Sequence, residues 1–494
     1  MAKIAFDCDK YLKVQRENIQ KRIASFGDKL YLEFGGKLFD DYHASRVLPG
    51  FKPDTKLHML LGMKDKVEVV IVVNSNDINT NKVRNDLGIT YQAEVERLID
   101  AYNEVELYVS SVVFSFYQSL PLVDAFITKL NNNGIKVYKH YEIKGYPSNI
   151  PVVVSEEGLG RNEYIETTRP IVVVTAPGPG SGKMATCLSQ LYHDNKRGVR
   201  AGYAKYESFP VWNLPLKHPV NLAYEAATAD LEDVNMIDPY HLEAYGKQAV
   251  NYNRDVETFP LLKAIFEKIY GKSPYNSPTD MGVNMIGFAI KNEEAAIEAS
   301  KAEIIRRYYQ AKKNNFLGKF KDEAVTKEEM LMNTLGISVA DRKVVAACLK
   351  KEEITGVPCC SLELPNKKIV CGKRSPLFGS SAAVLLNALK VLAKIDDKIP
   401  LISPEVIKPI QDLKVNSLNN RNPRLHAEEV LIALAIQANS NPLAKIALQQ
   451  LPKLKGCQAH SSVILQETDF NTFKKLGIDV TEEAVSRAHR LYAK

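Results

Sequence analysis

The chain has 494 residues, too long for one ordinary core and suited to roughly two to four domains. Its 45% hydrophobic and 25% charged content is that of an ordinary soluble globular protein. The net charge of +7 comes from scattered pairs such as Lys350-Lys351, Lys367-Lys368 and Lys474-Lys475, with no basic tract interleaved with aromatics, which argues against a nucleic-acid partner.

The N-terminal "MAKIAFDCDKYLK" carries charges early and lacks an apolar core of signal-peptide length. "KIAFDCD" superficially suggests an Asp-x-Asp phosphotransfer pair, but Asp7 or Asp9 is better read as the N-cap of a helix over "KYLKVQRENIQKRI". From there to about residue 210, strand-like and helix-like patterns alternate. "KLYLEF" (29–34), "VEVVIVV" (67–73), "ELYVSSVVFSF" (106–116), "GIKVYKHYEI" (134–143), "IPVVVS" (150–155) and "IVVVT" (171–175) read as strands. "YQAEVERLIDAYNEV" and "PLVDAFITKLNNNG" read as amphipathic helices, the second stopped by Asn133-Gly134. Apolar strands separated by helices imply a mostly parallel sheet buried on both faces.

After the first strand, Gly35-Gly36-Lys37 is followed by Asp40, Asp41, His43 and Arg46, either a second ligand loop at a strand end or a structural turn with a solvated acidic cap. After "IVVVT" comes "APGPGSGKMATCLSQLYHDNKRG", a P-loop-like turn. Gly178, Gly180, Ser181 and Gly182 offer inward-turning amides, Lys183 opens a helix stopped at Gly198, and Thr186 lies one turn further on. Against the pattern G-x-x-x-x-G-K-[ST], Pro177 replaces the first glycine and Met184 replaces the hydroxyl that binds Mg²⁺. Thioether sulfur is a poor ligand for that ion. The turn points to a bound phosphate more strongly than to ATP turnover with Mg. A glycine-rich turn that only packs a helix against a strand is the plainer alternative.

"GYAKYESFPVWNLPLKHPVNLAYEAATADLEDVNMIDPYH" (202–241) reads as an acceptor-side lid. It holds Trp212, the only tryptophan, with Lys205, Glu207, Lys217 and His218 nearby, and Lys183, Lys217 and His218 are the candidate catalytic groups. Asp230, Asp233 and Asp238 are alternative metal oxygens, or caps and solvated acids.

From about 240 to 355 the chain reads as helical, interrupted by a strand over "GVNMIGFAI". Beyond 356 the alternation returns, with a "CCSLELPNKKIVCG" hairpin turning at Pro365-Asn366, helices over "SSAAVLLNALKVLAKI" and "RLHAEEVLIALAIQA", and a strand over "SSVILQ". The expected architecture is a multidomain α/β chain: a P-loop-like domain over 1–240, a mainly helical middle over 241–355 and a smaller α/β domain over 356–494.

His426 and Glu428, with Cys457 and His460 thirty residues later, resemble the zinc-deaminase signature H-x-E…P-C-x-x-C. Gly456 stands in place of its proline and His460 in place of its second cysteine. On that alternative His426, Cys457 and His460 hold Zn and Glu428 moves protons; otherwise they are ordinary buried side chains. The seven cysteines, at 8, 187, 348, 359, 360, 371 and 457, are odd in number and irregularly spaced, as expected of reduced thiols in a cytoplasm. No apolar run approaches the about 18 residues that span a bilayer, so no membrane partner is expected.

"LYLEFGGKLFDDYHASRVLPGF", "TAPGPGSGKMATCLSQLYHD", "FPVWNLPLKHPVNLAYEAATADL", "GKRSPLFGSSAAVLLNALK" and "RLHAEEVLIAL" together resemble the bacterial domain-of-unknown-function family eighteen-forty-six over nearly the whole chain. The resemblance implies a cytoplasmic bacterial protein with an N-terminal α/β part and a separate C-terminal part similar to the cytidine-deaminase fold. It implies no reaction. The residues themselves point to a protein that binds a nucleotide or phosphorylated metabolite. Phosphotransfer, zinc-dependent hydrolysis or deamination, and non-catalytic effector binding are its possible uses, and a homo-oligomer is compatible with the sequence.

Overall fold

The computed structural model describes residues 4–486 apart from 28, 37, 40, 85–87 and 232. The chain forms two compact units. Ala2–Glu225 and Asp233–Ser300 make the larger; Ala226–Glu232 and Lys301–Lys494 make the smaller.

The larger unit is built on six strands: β1 (Lys29–Phe34), β2 (Val67–Asn74), β3 (Tyr108–Ser115), β4 (Lys136–Lys139), β5 (Ile171–Thr175) and β6 (Ala201–Tyr206). They lie in the order β4-β3-β2-β5-β1-β6, and every pairing is parallel. Their C-terminal ends therefore share one edge, where open α/β sheets present ligand crevices.

The strands read as unbroken apolar runs because both faces are covered. Leu30, Leu32, Val69, Ile71 and Val112 face one core, closed by α1 (Cys8–Ala24), α2 (Tyr91–Glu104) and α3 (Pro121–Asn132) through Ile19, Val95, Leu98, Phe126 and Leu130. The alternate residues Tyr31, Val70, Val72, Val113 and Val174 face the other, closed by α4 (Lys183–Lys196) and α6 (Asn253–Tyr270) through Leu188, Leu191, Phe259 and Phe266. Between them in sequence runs α5 (Pro219–Ala227). Asp7 caps α1, accepting from the Lys10 amide at 3.0 Å.

Two strand expectations and one lid expectation are corrected in the larger unit. Residues 150–155 form a short helix, Ile150–Val153, begun by Asn149 accepting from the Val152 amide at 3.3 Å; this cap overrides the preference of two valines for a strand. Within "GVNMIGFAI", Ile286–Ala289 is a 3₁₀ turn, and only the isolated bridges of Gly282 and Ile290 are strand-like. Residues 202–206, read as part of a lid, instead belong to β6 (Ala201–Tyr206), the sheet edge.

In the smaller unit β7 (Cys359–Glu363), β8 (Ile369–Lys373), β9 (Gln458–Ser461) and β10 (Asp479–Glu482) form a sheet in the order β8-β7-β9-β10. The first two pairings are antiparallel and the last is parallel. The hairpin turns at Pro365-Asn366 as expected, but the strand read over "SSVILQ" lies earlier, ending at Ser461. Leu385, Leu389, Val430 and Leu434, from helices Ser380–Ala393 and Ala427–Gln437, fill its core. Among the described residues no helix is long and apolar enough to cross a membrane.

Candidate functional site

β5 ends at Thr175, and the chain turns at the shared edge before α4 begins at Lys183. Gly180 (φ 72°) and Gly182 (φ 88°) adopt the left-handed conformation that glycine accepts without penalty. A Cβ on Gly182 would stand 2.9 Å from the Ser115 Cβ, and one on Gly178 would strike the Tyr91 hydroxyl. Two hydroxyls pin the turn: Ser181 Oγ donates to the Gly178 carbonyl, and Ser115 Oγ donates to the Ser181 carbonyl, both at 2.7 Å.

The first helical bond of α4 runs from the Thr186 amide to the Gly182 carbonyl at 3.0 Å. The amides of Lys183, Met184 and Ala185 precede it, and no side chain caps them. The Lys183 side chain is half-buried, and among the described residues it makes no hydrogen bond or ion pair. Thr186 lies behind the turn, where its hydroxyl donates to the Gly182 carbonyl at 3.1 Å and stands 3.4 Å from His140 Nδ1. Met184 is partly buried and packs against the core. Of the predicted phosphate ligands, Gly178, Gly180, Ser181, Gly182 and Lys183 are thus brought together, with Thr186 as a support.

Beside β5 on the same edge is the end of β1, where Glu33 pairs in register with Val174 on one side and Lys205 on the other. Glu33 is a carboxylate inside an apolar strand, and the buried Tyr203 hydroxyl donates to its Oε2 at 2.6 Å. Burial pushes the Cys187 thiol up, Glu33 adds to the effect and Lys183 opposes it, so both charges act on the first turns of α4. The chain then passes through Gly35, where a Cβ would collide with the Glu207 side chain, and Gly36 (φ 72°). Beneath them the buried Lys56 ammonium lies 2.8 Å from Asp41 Oδ2. Burial disfavours the Asp41 charge, yet Lys56 and the Ala44 amide hold its carboxyl below the usual range. Asp41 also starts the helix that carries His43, which meets Phe209 and Tyr224 edge-on, and Arg46, which donates to the Tyr42 carbonyl at 3.4 Å. Lys37 and Asp40 lie outside the described residues.

Past β1, at the end of β6, a cleft of about 390 Å³, its open mouth included, is lined by Lys205, Glu207, Trp212, Asn251, Asp255 and Asn284, among others. Lys205 Nζ contacts both Asp255 oxygens and lies 3.2 Å from Glu207 Oε1. Burial works against the Lys205 charge, but Asp255, Glu207 and Glu33 together raise its pKa. Burial likewise raises the Glu207 carboxyl, which Lys205 only partly offsets. The Trp212 indole N–H donates to the Asn284 carbonyl at 2.8 Å and its ring stands 5.9 Å from Phe288, so one wall is a fixed aromatic surface.

Trp212, Lys205 and Glu207 therefore meet as their closeness in sequence suggested, whereas Lys217 and His218 do not line this cleft. Lys217 is exposed. His218 is a buried helix start: its carbonyl accepts from Asn221 and Leu222, its Nδ1 accepts from the Val220 amide at 3.2 Å, and Nε2 lies 3.3 Å from Glu293. Burial lowers its pKa. Asp233 lies 3.4 Å from Arg254, and Asp238 caps a helix and accepts from Thr279, while Asp230 sits in a short 3₁₀ turn of the smaller unit. Sequence reasoning missed Glu33 and Asp255. For Glu33 the available signal was a charge interrupting "LYLEF", a strand otherwise buried throughout.

In the smaller unit His426 begins Ala427–Gln437 with its Nδ1 3.0 Å from Asp469 Oδ2. Glu428 is exposed. Cys457 Sγ contacts the Lys453 carbonyl, and burial pushes the thiol up to about 11, away from the thiolate that metals take. His460 Nδ1 is 2.8 Å from Thr481 Oγ1, with its ring against Tyr309. Among the described residues no group of three or more His, Cys, Asp or Glu side chains is placed to hold a metal ion, these three included.

Two family models match this chain in succession: the N-terminal part of DUF1846, a domain of unknown function, over residues 4–336, and its C-terminal part over 340–492. UPF0371 proteins of Streptococcus pyogenes serotype M5, S. pyogenes serotype M18 and Streptococcus sanguinis are each 58% identical to it over 494 residues, covering 100% of both chains. With both halves matched and alignment end to end, the chain belongs to the DUF1846 family, among the UPF0371 proteins.

Proposed function

We propose that the larger unit binds a nucleotide or phosphorylated metabolite along the C-terminal edge of its parallel sheet. The phosphate lies over the amides of Lys183, Met184 and Ala185, with the Lys183 ammonium beside it. The observation that carries this reading is that a half-buried lysine without an anionic partner stands at an uncapped helix start, where the backbone already favours negative charge. With Met184 in place of a hydroxyl and packed against the core, charge neutralisation falls to Lys183 and the amides rather than to a hydroxyl-bound Mg²⁺. If phosphoryl transfer occurs, these same groups supply its electrostatic stabilisation.

Two further features support the reading. Gly35 and Gly36, which follow the intervening strand, have no side chains of their own, so Glu207 and the Lys56 ammonium reach that end of the sheet. The cleft at β6 lies two strands from β5, about 10 Å at the usual strand spacing, which is the reach of a small phosphorylated metabolite. Titration calorimetry of the full chain with inorganic phosphate and ATP tests it: binding is expected, and Lys183→Ala should weaken it. Unchanged affinity in that variant sinks the reading.

A further inference from the structure

The cleft at the end of β6 has chemistry of its own. Its floor is an ion-paired cluster, Lys205 with Asp255 and Glu207, backed by Glu33. Asp255 is turned onto Lys205, leaving 10% of its side chain exposed, whereas Glu207 keeps 24% exposed. Asn251 and Asn284 are held in place, the first donating to Thr279 Oγ1 at 3.4 Å and the second to the Ser208 carbonyl at 2.8 Å. The Trp212 ring is fixed by its own N–H bond. Carboxyl oxygens beside a rigid aromatic face suit a ring that carries hydroxyls on its rim and C–H groups on its face.

An ammonium ligand is disfavoured because the cleft already holds a buried cation in Lys205. Carboxyl oxygens accept hydrogen bonds from hydroxyls. An apolar ligand would cover the partly exposed Glu207 carboxyl without giving it a hydrogen bond.

We propose that this cleft is a sugar subsite: it takes the hydroxyl-bearing ring of a phosphorylated sugar, Glu207 accepting hydrogen bonds from ring hydroxyls and Trp212 lying against a ring face. The inference rests on the phosphate reading of the Gly182–Lys183 turn and narrows the ligand to a sugar phosphate.

The test is calorimetry on the full chain with inorganic phosphate, a panel of hexose and pentose monophosphates, and the same sugars without phosphate. At least one sugar monophosphate should bind about tenfold or more tightly than inorganic phosphate. Glu207→Ala and Trp212→Leu should each remove most of that advantage and leave the affinity for inorganic phosphate intact, which also shows that the variants are folded. Should every sugar phosphate bind no better than inorganic phosphate to the wild-type chain, the subsite is overturned while the phosphate site stands. Should no phosphate compound bind at all, both fall. An advantage that survives in both variants likewise overturns the subsite.

Discussion

Lys205 Nζ stands 2.7 Å from Asp255 Oδ1 and 2.5 Å from Oδ2, tying the edge strand of the parallel sheet to the first turn of α6. Glu207 lies 3.2 Å from the same ammonium, and the Glu33 charge acts on it from β1, so one cation faces acids from three places at the end of the sheet.

Removing that cation should be costly. Lys205→Met is expected to destabilise the chain by about 3–5 kcal/mol, since it leaves buried carboxylates uncompensated. Adding Asp255→Asn should restore part of the loss. Urea denaturation of the two single variants and the double variant reads the coupling directly, and strictly additive losses would show that the two groups act independently.

The Lys183 ammonium has a different job. Because it pairs with no described residue, Lys183→Ala should change the unfolding free energy little, by about 0.5 kcal/mol or less, while lowering phosphate affinity about tenfold or more. Calorimetry and denaturation on the same preparation separate the two effects.

The two left-handed glycines of the turn should respond unequally. Around Gly180 a Cβ meets nothing within 4 Å, so Gly180→Ala is expected to cost only the left-handed backbone penalty, about 1–2 kcal/mol. Gly182→Ala adds a clash with Ser115, whose hydroxyl anchors the turn, and should cost more and weaken phosphate binding. Paired melting curves with and without phosphate check both statements.

Acid should loosen the unit through His140. Burial lowers its pKa to about 4 from an ordinary 6.5, reinforced by nearby His193 and opposed by the Glu163 carbonyl. Between those values the unfolded chain binds the proton and the folded chain does not. Stability is therefore full above pH 6.5 and declines as pH falls toward 4, by about 3 kcal/mol at most from this group. His140→Gln should flatten that part of the profile, measured as urea midpoints across the acid range.

The glycine turn between β5 and α4 was legible in the sequence because it is local. A strand, three glycines, a lysine and a helix stand in one stretch, and each local preference agrees with the fold. β6 escaped notice because Gly202 and Lys205 break its apolar pattern. Yet Gly202 is there for packing, since a Cβ would run into the Phe26 ring, and Lys205 serves the cleft. "IPVVVS" misled in the opposite direction: its valines favour a strand, but the Asn149 cap begins a helix. The cleft itself could not be read locally, because Glu33, Lys205 and Asp255 come from separate elements that only the strand order brings together.

The space a side chain at position 35 would need is already filled by Glu207. These two sites are thus bound to one another in the history of the chain: no larger residue can enter at 35 unless the acid at 207 is first shortened or swung aside. A relative that has lost the glycine should have lost the glutamate as well, and with it the grip of the neighbouring crevice.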